Sequence, residues 1–188
     1  VPRLTIFLAA AFSIVSTFSS HSACGQTATL HDALESARAD KAFESTALAS
    51  LAEKYGTPLY VYDGATIERQ VKALRDAFGK RFPKLAIFYA LKANTNLSIF
   101  SMLRKEGLGA EVVAAGEILT AQKLGIPGPE IMFTSSSKSP AELTLAIKSN
   151  VVLNIDSLDE LEQVEETAKK LGKKVRISFR INPGVDPH

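Results

Sequence analysis

Five apolar runs rich in β-branched residues recur along the chain at a nearly constant interval. They begin near residues 85, 110, 131, 151 and 175, so consecutive runs lie about 20 to 25 residues apart. That interval is the length of a minimal unit of one β-strand and one α-helix. The first run, residues 85–91, is uninterrupted, which is typical of a strand buried on both faces of a parallel sheet. The spacing therefore predicts an α/β protein built on parallel strands.

Helical patterns fill the intervals between these runs, and two of the helices have clear start signals. Ser139 is followed by Pro140 and then by Glu142 at the third helical position. Ser157 and Glu160 repeat the same spacing, so a capping box is predicted at both sites. The other predicted helices cover residues 46–55, 67–78, 97–105 and 117–124, and a further strand is predicted at residues 57–62.

Two architectures accommodate this order, namely a doubly wound open sheet and a (β/α)₈ barrel. In both, ligands bind at the carboxyl ends of the parallel strands. The residues at those ends are Lys92, Glu111, residues 135–138, Asp156 and Asn182. A dinucleotide-binding fingerprint is absent, because Gly107 and Gly109 precede a predicted strand and position 112 is valine, whereas the motif follows a strand.

The charge and the rare residues of the chain exclude several classes of function. The 22 Lys and Arg residues interleave with 20 Asp and Glu residues, which argues against a basic arm for nucleic acid. One cysteine and three histidines provide no disulfide framework and no metal site of recognisable spacing. No apolar run reaches the roughly 18 residues of a membrane span. We therefore expect no nucleic-acid, metal or membrane partner.

Residues 1–31 differ from the rest of the chain. They contain no Asp or Glu, and a nearly apolar stretch is followed by one rich in Ser and Thr. Both a targeting segment and an upstream extension fit this pattern, so we set these residues apart from the predicted fold. Residues 32–63 then form an N-terminal helix and strand, and residues 64–188 form the main α/β domain.

Lys92 follows directly on the first buried run, which places its ammonium group at the ligand end of the predicted sheet. A lysine in such a position can act as an amine nucleophile. From position alone, an ordinary strand-end lysine that extends to water is the favoured interpretation. The segment around it, Tyr-Ala-Leu-Lys-Ala-Asn at residues 89–94, closely resembles the cofactor-lysine segment of the fold-type III pyridoxal-phosphate decarboxylases. Four more stretches resemble that family in order and spacing, at residues 55–63, 109–117, 131–139 and 180–188.

The resemblance implies a partial (β/α)₈ TIM-type barrel with about five βα units and pyridoxal 5'-phosphate as the cofactor. It implies that Lys92 is the catalytic residue that binds the cofactor, with Glu111 and Arg180 as further cofactor-binding residues. The amino-acid sequences of these segments favour the diaminopimelate branch of the family over the ornithine and arginine branches. The implied reaction is decarboxylation of meso-2,6-diaminopimelate to L-lysine. The implied small-molecule partner is therefore the amino-acid substrate.

Some features keep an alternative open. Ala114 and Ser136 replace residues that are usual in the family, so a catalytically inactive, decarboxylase-like binding protein also fits the sequence. The barrel of the resembled family continues past the position of His188, so we expect the chain by itself to be inactive. For the whole protein, the resemblance implies a cytoplasmic homodimer.

Overall fold

The computed structural model describes residues 5–8, 45–181 and 184. The chain divides into a sheet unit, residues 1–11 and 78–188, and a helical unit, residues 12–77. The described strands are β1 (Thr5–Leu8), β2 (Ala86–Ala90), β3 (Gly109–Val112), β4 (Ile131–Phe133), β5 (Val152–Ile155) and β6 (Ile177–Phe179). The described helices are α1 (Ser45–Tyr55), α2 (Gly64–Gly79), α3 (Leu97–Lys105), α4 (Ala115–Lys123), α5 (Pro140–Lys148) and α6 (Leu158–Leu171).

The helical unit contains α1 and nearly all of α2, as their patterns predict. Asp63 begins α2, since its carboxylate accepts the Ala65 N–H at 3.0 Å and the Thr66 hydroxyl at 2.5 Å. These bonds hold the pKa of Asp63 below its ordinary value, and the bond from the Thr66 hydroxyl has the largest effect. The strand predicted over residues 57–62 is wrong, because the structure has irregular backbone there. A strand needs a paired backbone, and no described segment pairs with these residues.

The sheet unit is a parallel sheet whose strands lie side by side in sequence order, from β1 to β6. Strands β2 to β6 are the five predicted ones, and they confirm the predicted α/β architecture. A doubly wound fold reverses its strand order, and the described strands contain no reversal. The barrel-type order is therefore the one the chain adopts.

Strand β1 was not predicted. Thr5–Leu8 lies within the segment that the sequence analysis set apart, and it pairs in parallel with β2 over Ala86–Tyr89. The rest of residues 1–31 lies outside the described part of the chain, so the assignment of that segment as an extension or targeting signal stays a prediction. Among the described residues, no helix is both long and apolar enough to cross a bilayer.

The core lies between the sheet and the helices of the sheet unit. All four residues of β3 are buried, and so are Phe100 of α3, Ile118 of α4 and Leu143 of α5. Gly109 allows the close approach that this packing needs, because a Cβ there would lie 2.6 Å from the Glu130 carbonyl oxygen. The tightly packed β3 is thus a rigid support for the one charged side chain that it carries.

Candidate active site

Lys92 lies in a short 3₁₀ turn, Leu91–Ala93, that continues β2 at its carboxyl end. The turn is closed by the Asn94 N–H, which donates to the Leu91 carbonyl at 3.1 Å. The Tyr89 hydroxyl donates to the Asn94 carbonyl at 3.0 Å and holds the far side of the turn against the strand. The backbone of Lys92 is therefore well fixed, while its side chain remains 57% exposed.

The next helix begins immediately after this turn. Asn96 is the N-cap of α3, and its side-chain oxygen accepts the N–H groups of Ser98 at 2.9 Å and Ile99 at 3.3 Å. The Asn94 side chain in turn accepts the Asn96 N–H at 2.9 Å. These local bonds satisfy the free donors of the helix start. They place Lys92 at the junction of a buried strand and a capped helix.

Glu111 faces Lys92 from the neighbouring strand. It lies within β3, its side chain is only 6% exposed, and its Oε1 is 3.4 Å from Lys92 Nζ. The Thr134 hydroxyl, directly after β4, donates to the same oxygen. Three successive strands thus contribute an amine, a carboxylate and a hydroxyl to one cluster, as the carboxyl-end rule predicts for Lys92 and Glu111.

Arg180 lies elsewhere along the same edge. Its backbone N–H donates to the Ile155 carbonyl at 2.9 Å, which extends the pairing of β6 with β5. Its guanidinium Nη1 is 3.6 Å from Asp156 Oδ1, and the Arg180 side chain is 59% exposed. The structure therefore brings Lys92 and Glu111 together and places Arg180 beside Asp156, two strands beyond Thr134.

A second pair of lysine and glutamate lies at this edge, and its contact is not predicted from the sequence. Lys138 Nζ is 2.5 Å from Glu160 Oε1, with side-chain exposures of 0% and 10%. The same ammonium group donates to the carbonyls of Ser135 at 2.6 Å and Asn154 at 2.9 Å. It also lies 5.4 Å from the centre of the Phe133 ring. Lys138 is thus surrounded by acceptors and closed to solvent.

The two predicted capping boxes have different outcomes. At Ser139 both bonds of the capping box form. The Ser139 side chain accepts the Glu142 N–H, and the Glu142 carboxylate accepts the Ser139 N–H at 2.9 Å. At Ser157 only the first bond forms, because Glu160 accepts the Asp156 N–H at 2.7 Å and binds Lys138 instead. The prediction of a full capping box at Ser157 is therefore wrong.

The chemistry of the Lys92 cluster fits pyridoxal phosphate. Attachment of an aldehyde cofactor needs a primary amine that is accessible and held in place. Lys92 meets both conditions, whereas the Lys138 amine is enclosed by three oxygen acceptors. Groups of three or more His, Cys, Asp or Glu that could hold a metal ion do not occur among the described residues.

Comparisons with known proteins agree with this chemistry. The profile of the family described as "pyridoxal-dependent decarboxylase, pyridoxal binding domain" matches residues 64–188. Diaminopimelate decarboxylase of Aquifex aeolicus is 43% identical over 145 residues, which cover 77% of this chain and 34% of that relative. The enzyme of the same name from Helicobacter pylori is 45% identical over 137 residues, covering 72% and 33%.

A solved structure shows the same fold. Diaminopimelate decarboxylase of M. jannaschii in co-complex with L-lysine superimposes with a TM-score of 0.70 at 40% identity, covering 75% of this chain and 33% of that one. The chain thus spans about a third of the length of the relatives that it matches. The matched region of the chain corresponds to the pyridoxal-binding domain of that family. Because the family profile covers more than half of the chain, the chain belongs to the pyridoxal-dependent decarboxylases.

Proposed function

We propose that the whole protein decarboxylates meso-2,6-diaminopimelate to L-lysine and that it binds pyridoxal phosphate through Lys92. The observation that carries the proposal is the accessible Lys92 amine, 3.4 Å from a buried Glu111 carboxylate at the carboxyl edge of the sheet. The names of relatives support the choice of substrate, since diaminopimelate decarboxylases are among the proteins that this chain matches, with 36 to 45% identity.

Each residue of the cluster has a distinct part in this proposal. Lys92 holds the cofactor, because its amine is the nucleophile of the cluster. Glu111 orients that amine, since its buried carboxylate attracts the Lys92 ammonium group from a rigid strand. When bound, pyridoxal phosphate supplies an electron sink for the electron pair that the departing carbon dioxide leaves behind.

Arg180 is proposed to bind an anionic group of the cofactor or substrate. Its guanidinium is 59% exposed at the same edge of the sheet, so most of its donors remain accessible beside the Asp156 contact. A guanidinium presents donors that match carboxylate and phosphate oxygens. Replacement by lysine keeps the positive charge but loses the paired N–H donors of the guanidinium group. Arg180→Lys is therefore expected to weaken cofactor or substrate binding.

The alternative of an inactive binding protein depends partly on Ala114, so the hydrogen bonds around Ala114 are relevant to it. Ala114 is the N-cap of α4 and provides no side-chain acceptor. The neighbouring donors are nonetheless satisfied, because Glu117 accepts the Val113 N–H at 2.7 Å and Glu142 accepts the Ala115 N–H at 3.4 Å. The backbone N–H groups on both sides of Ala114 are therefore paired even though Ala114 has no polar side chain.

The attachment site is tested by borohydride reduction of the whole protein with bound pyridoxal phosphate, followed by peptide mass mapping. We expect the reduced adduct on Lys92 and its complete loss in Lys92→Ala. Lys92→Arg should lose it too, because a guanidinium stays protonated. Lys123→Ala, in helix α4, is the matched control and should keep the adduct. An adduct on any other lysine would refute the assignment.

The substrate is tested separately, by offering the purified whole protein meso-2,6-diaminopimelate, ornithine and arginine. Carbon dioxide release with formation of L-lysine from the first substrate is the expected result. Faster turnover of ornithine or arginine would place the protein in another branch of the family. An adduct on Lys92 without turnover of any of the three would instead favour the inactive binding protein.

We also propose that the whole protein is a cytoplasmic homodimer, as the family resemblance implies. Sedimentation equilibrium of the whole protein tests the assembly, with twice the chain mass expected. Fractionation of the source cells tests the location, and recovery of the protein outside the cytoplasm would instead support a targeting role for residues 1–31.

A further inference from the structure

We propose that Thr134 is a positioning residue that holds the Glu111 carboxylate toward the Lys92 amine. This inference rests on the proposed function of Lys92. It comes from one shared atom, because Glu111 Oε1 both accepts the Thr134 hydroxyl and faces Lys92 Nζ at 3.4 Å. In this proposal Thr134 acts on the amine through Glu111.

The backbones of the two partners are held rigidly. Glu111 lies in the middle of paired strands, opposite Ala90 of β2 and Met132 of β4. The Thr134 N–H donates to the Val112 carbonyl at 2.9 Å, so this residue prolongs the pairing of β4 with β3. With both backbones fixed, the orientation of the carboxylate depends on its side-chain torsions and on what its oxygens bind.

Of the two groups at Oε1, Thr134 is the better anchor. The Lys92 side chain is 57% exposed and its nitrogen is at a long distance for a hydrogen bond. Attachment of a cofactor would also leave the Lys92 nitrogen with fewer N–H donors for the carboxylate. The Thr134 hydroxyl remains in either case, and a hydrogen bond to an ionised group is about twice as strong as a neutral one.

The experiment measures how fast pyridoxal phosphate attaches to Lys92 in the whole protein after removal of its cofactor. Samples are reduced with borohydride at successive times, and the Lys92 peptide is quantified by mass spectrometry. Thr134→Val keeps the shape and removes the hydroxyl, so attachment should slow by about tenfold, as expected for a buried acceptor that loses its donor. Thr134→Ser restores the hydroxyl and should recover a rate within about twofold of the original.

A double-mutant cycle separates positioning from a merely structural role. In a Glu111→Ala background, Thr134→Val should change the attachment rate by less than about twofold, because the group through which it acts is gone. Thr144→Val is the matched control, since its hydroxyl donates to the Pro140 carbonyl at 2.8 Å within α5. It should leave the rate unchanged.

The outcomes distinguish the inference from the function on which it rests. Equal effects of Thr134→Val with and without Glu111 would overturn the positioning role, as would equal rates for the valine and serine variants. If the unaltered protein forms no adduct on Lys92, the proposed function fails and the role of Thr134 fails with it. Thermal unfolding of the valine and serine variants at similar temperatures would show that the rate difference does not come from misfolding.

Discussion

Two lysine–glutamate pairs lie at the same edge of the sheet and differ in how far each lysine is exposed to solvent. The Lys138–Glu160 pair is 2.5 Å apart with the lysine fully buried, whereas Lys92 is 3.4 Å from Glu111 and more than half exposed. Lys138 also donates to two backbone carbonyls. An ammonium group with all its donors engaged stabilises the fold, and one that faces solvent beside a single carboxylate is available for chemistry.

The difference arises from the local backbone. Lys92 is two residues beyond the end of β2, in a tight turn that leads directly into the cap of α3. Lys138 is five residues beyond the end of β4, far enough for the loop to fold back and place the amine over Phe133. The same residue type is thus left exposed in one loop and buried in the other.

The largest effect on stability is expected at the buried pair. Lys138→Met removes the buried counter-charge of the Glu160 carboxylate, which keeps the Asp156 N–H as a donor. This loss should lower the free energy of unfolding by about 3 to 5 kcal/mol. Urea denaturation of the whole protein measures the change. The control is Lys170→Met, whose partner Glu166 is 3.5 Å away with both side chains largely exposed, and its effect should be within about 0.5 kcal/mol. A loss below about 1 kcal/mol at Lys138 would erase the distinction between the two pairs.

Most of the strands and helices of the sheet unit are predictable because their signals are local. The apolar runs and the helix caps depend on residues within one turn or one strand of each other. Residues 57–62 have the composition of a strand, yet a strand also requires a pairing partner, which composition does not specify. The pairing of Thr5–Leu8 with β2 joins residues about 80 positions apart, and no local sequence pattern predicts this pairing.

The candidate site is predictable to a smaller extent. The contact of Lys92 with Glu111 follows from adjacent parallel strands, whose carboxyl ends meet at one edge. The third partner, Thr134, has the weaker signal of a polar residue that ends an apolar run. Glu160 was interpreted as a capping residue because it has the right local spacing, while its actual partner Lys138 is 22 positions away. Competition between a local and a distant partner is decided by burial, which the sequence does not show.

A smaller effect is expected at Ser139, which ends the loop that carries Lys138. Its hydroxyl accepts the Glu142 N–H at 3.3 Å as the N-cap of α5. Ser139→Ala should cost about 1 kcal/mol of stability, as is typical for the loss of a cap. Ser149→Ala is the control, because the opposite end of α5 is capped there by a backbone N–H. If the cap also secures the Lys138 loop, the loss measured by urea denaturation should shrink when Ser139→Ala is combined with Lys138→Met.

The Glu142 side of the same cap predicts a pH dependence. Hydrogen bonds from the Ser139 N–H and hydroxyl hold the pKa of Glu142 below its ordinary value of 4.5. A lowered pKa in the folded state means that the carboxylate stabilises the fold above about pH 4.5 and loses this effect as the pH falls through the lowered value. The stability difference between the unaltered protein and Glu142→Gln should therefore be constant near neutral pH and decrease on acidification. Urea denaturation between about pH 7 and pH 3 measures it, and a difference that grows in acid would contradict the assignment.

The smallest effect on stability is expected at Lys92, the residue whose replacement should abolish attachment of the cofactor. Lys92→Met removes an ammonium group that is 57% exposed and 3.4 Å from its partner. Because solvent screens so exposed a cation, we expect its pairing with Glu111 to contribute at most about 1 kcal/mol. Glu111 also keeps the Thr134 hydroxyl as a hydrogen-bond donor. In the protein freed of cofactor, the urea midpoint of Lys92→Met should therefore stay close to that of the unaltered protein, although the variant forms no reduced adduct. A loss comparable to that of Lys138→Met would mean that Glu111 depends on Lys92 as Glu160 depends on Lys138, and the two pairs would then differ in exposure alone.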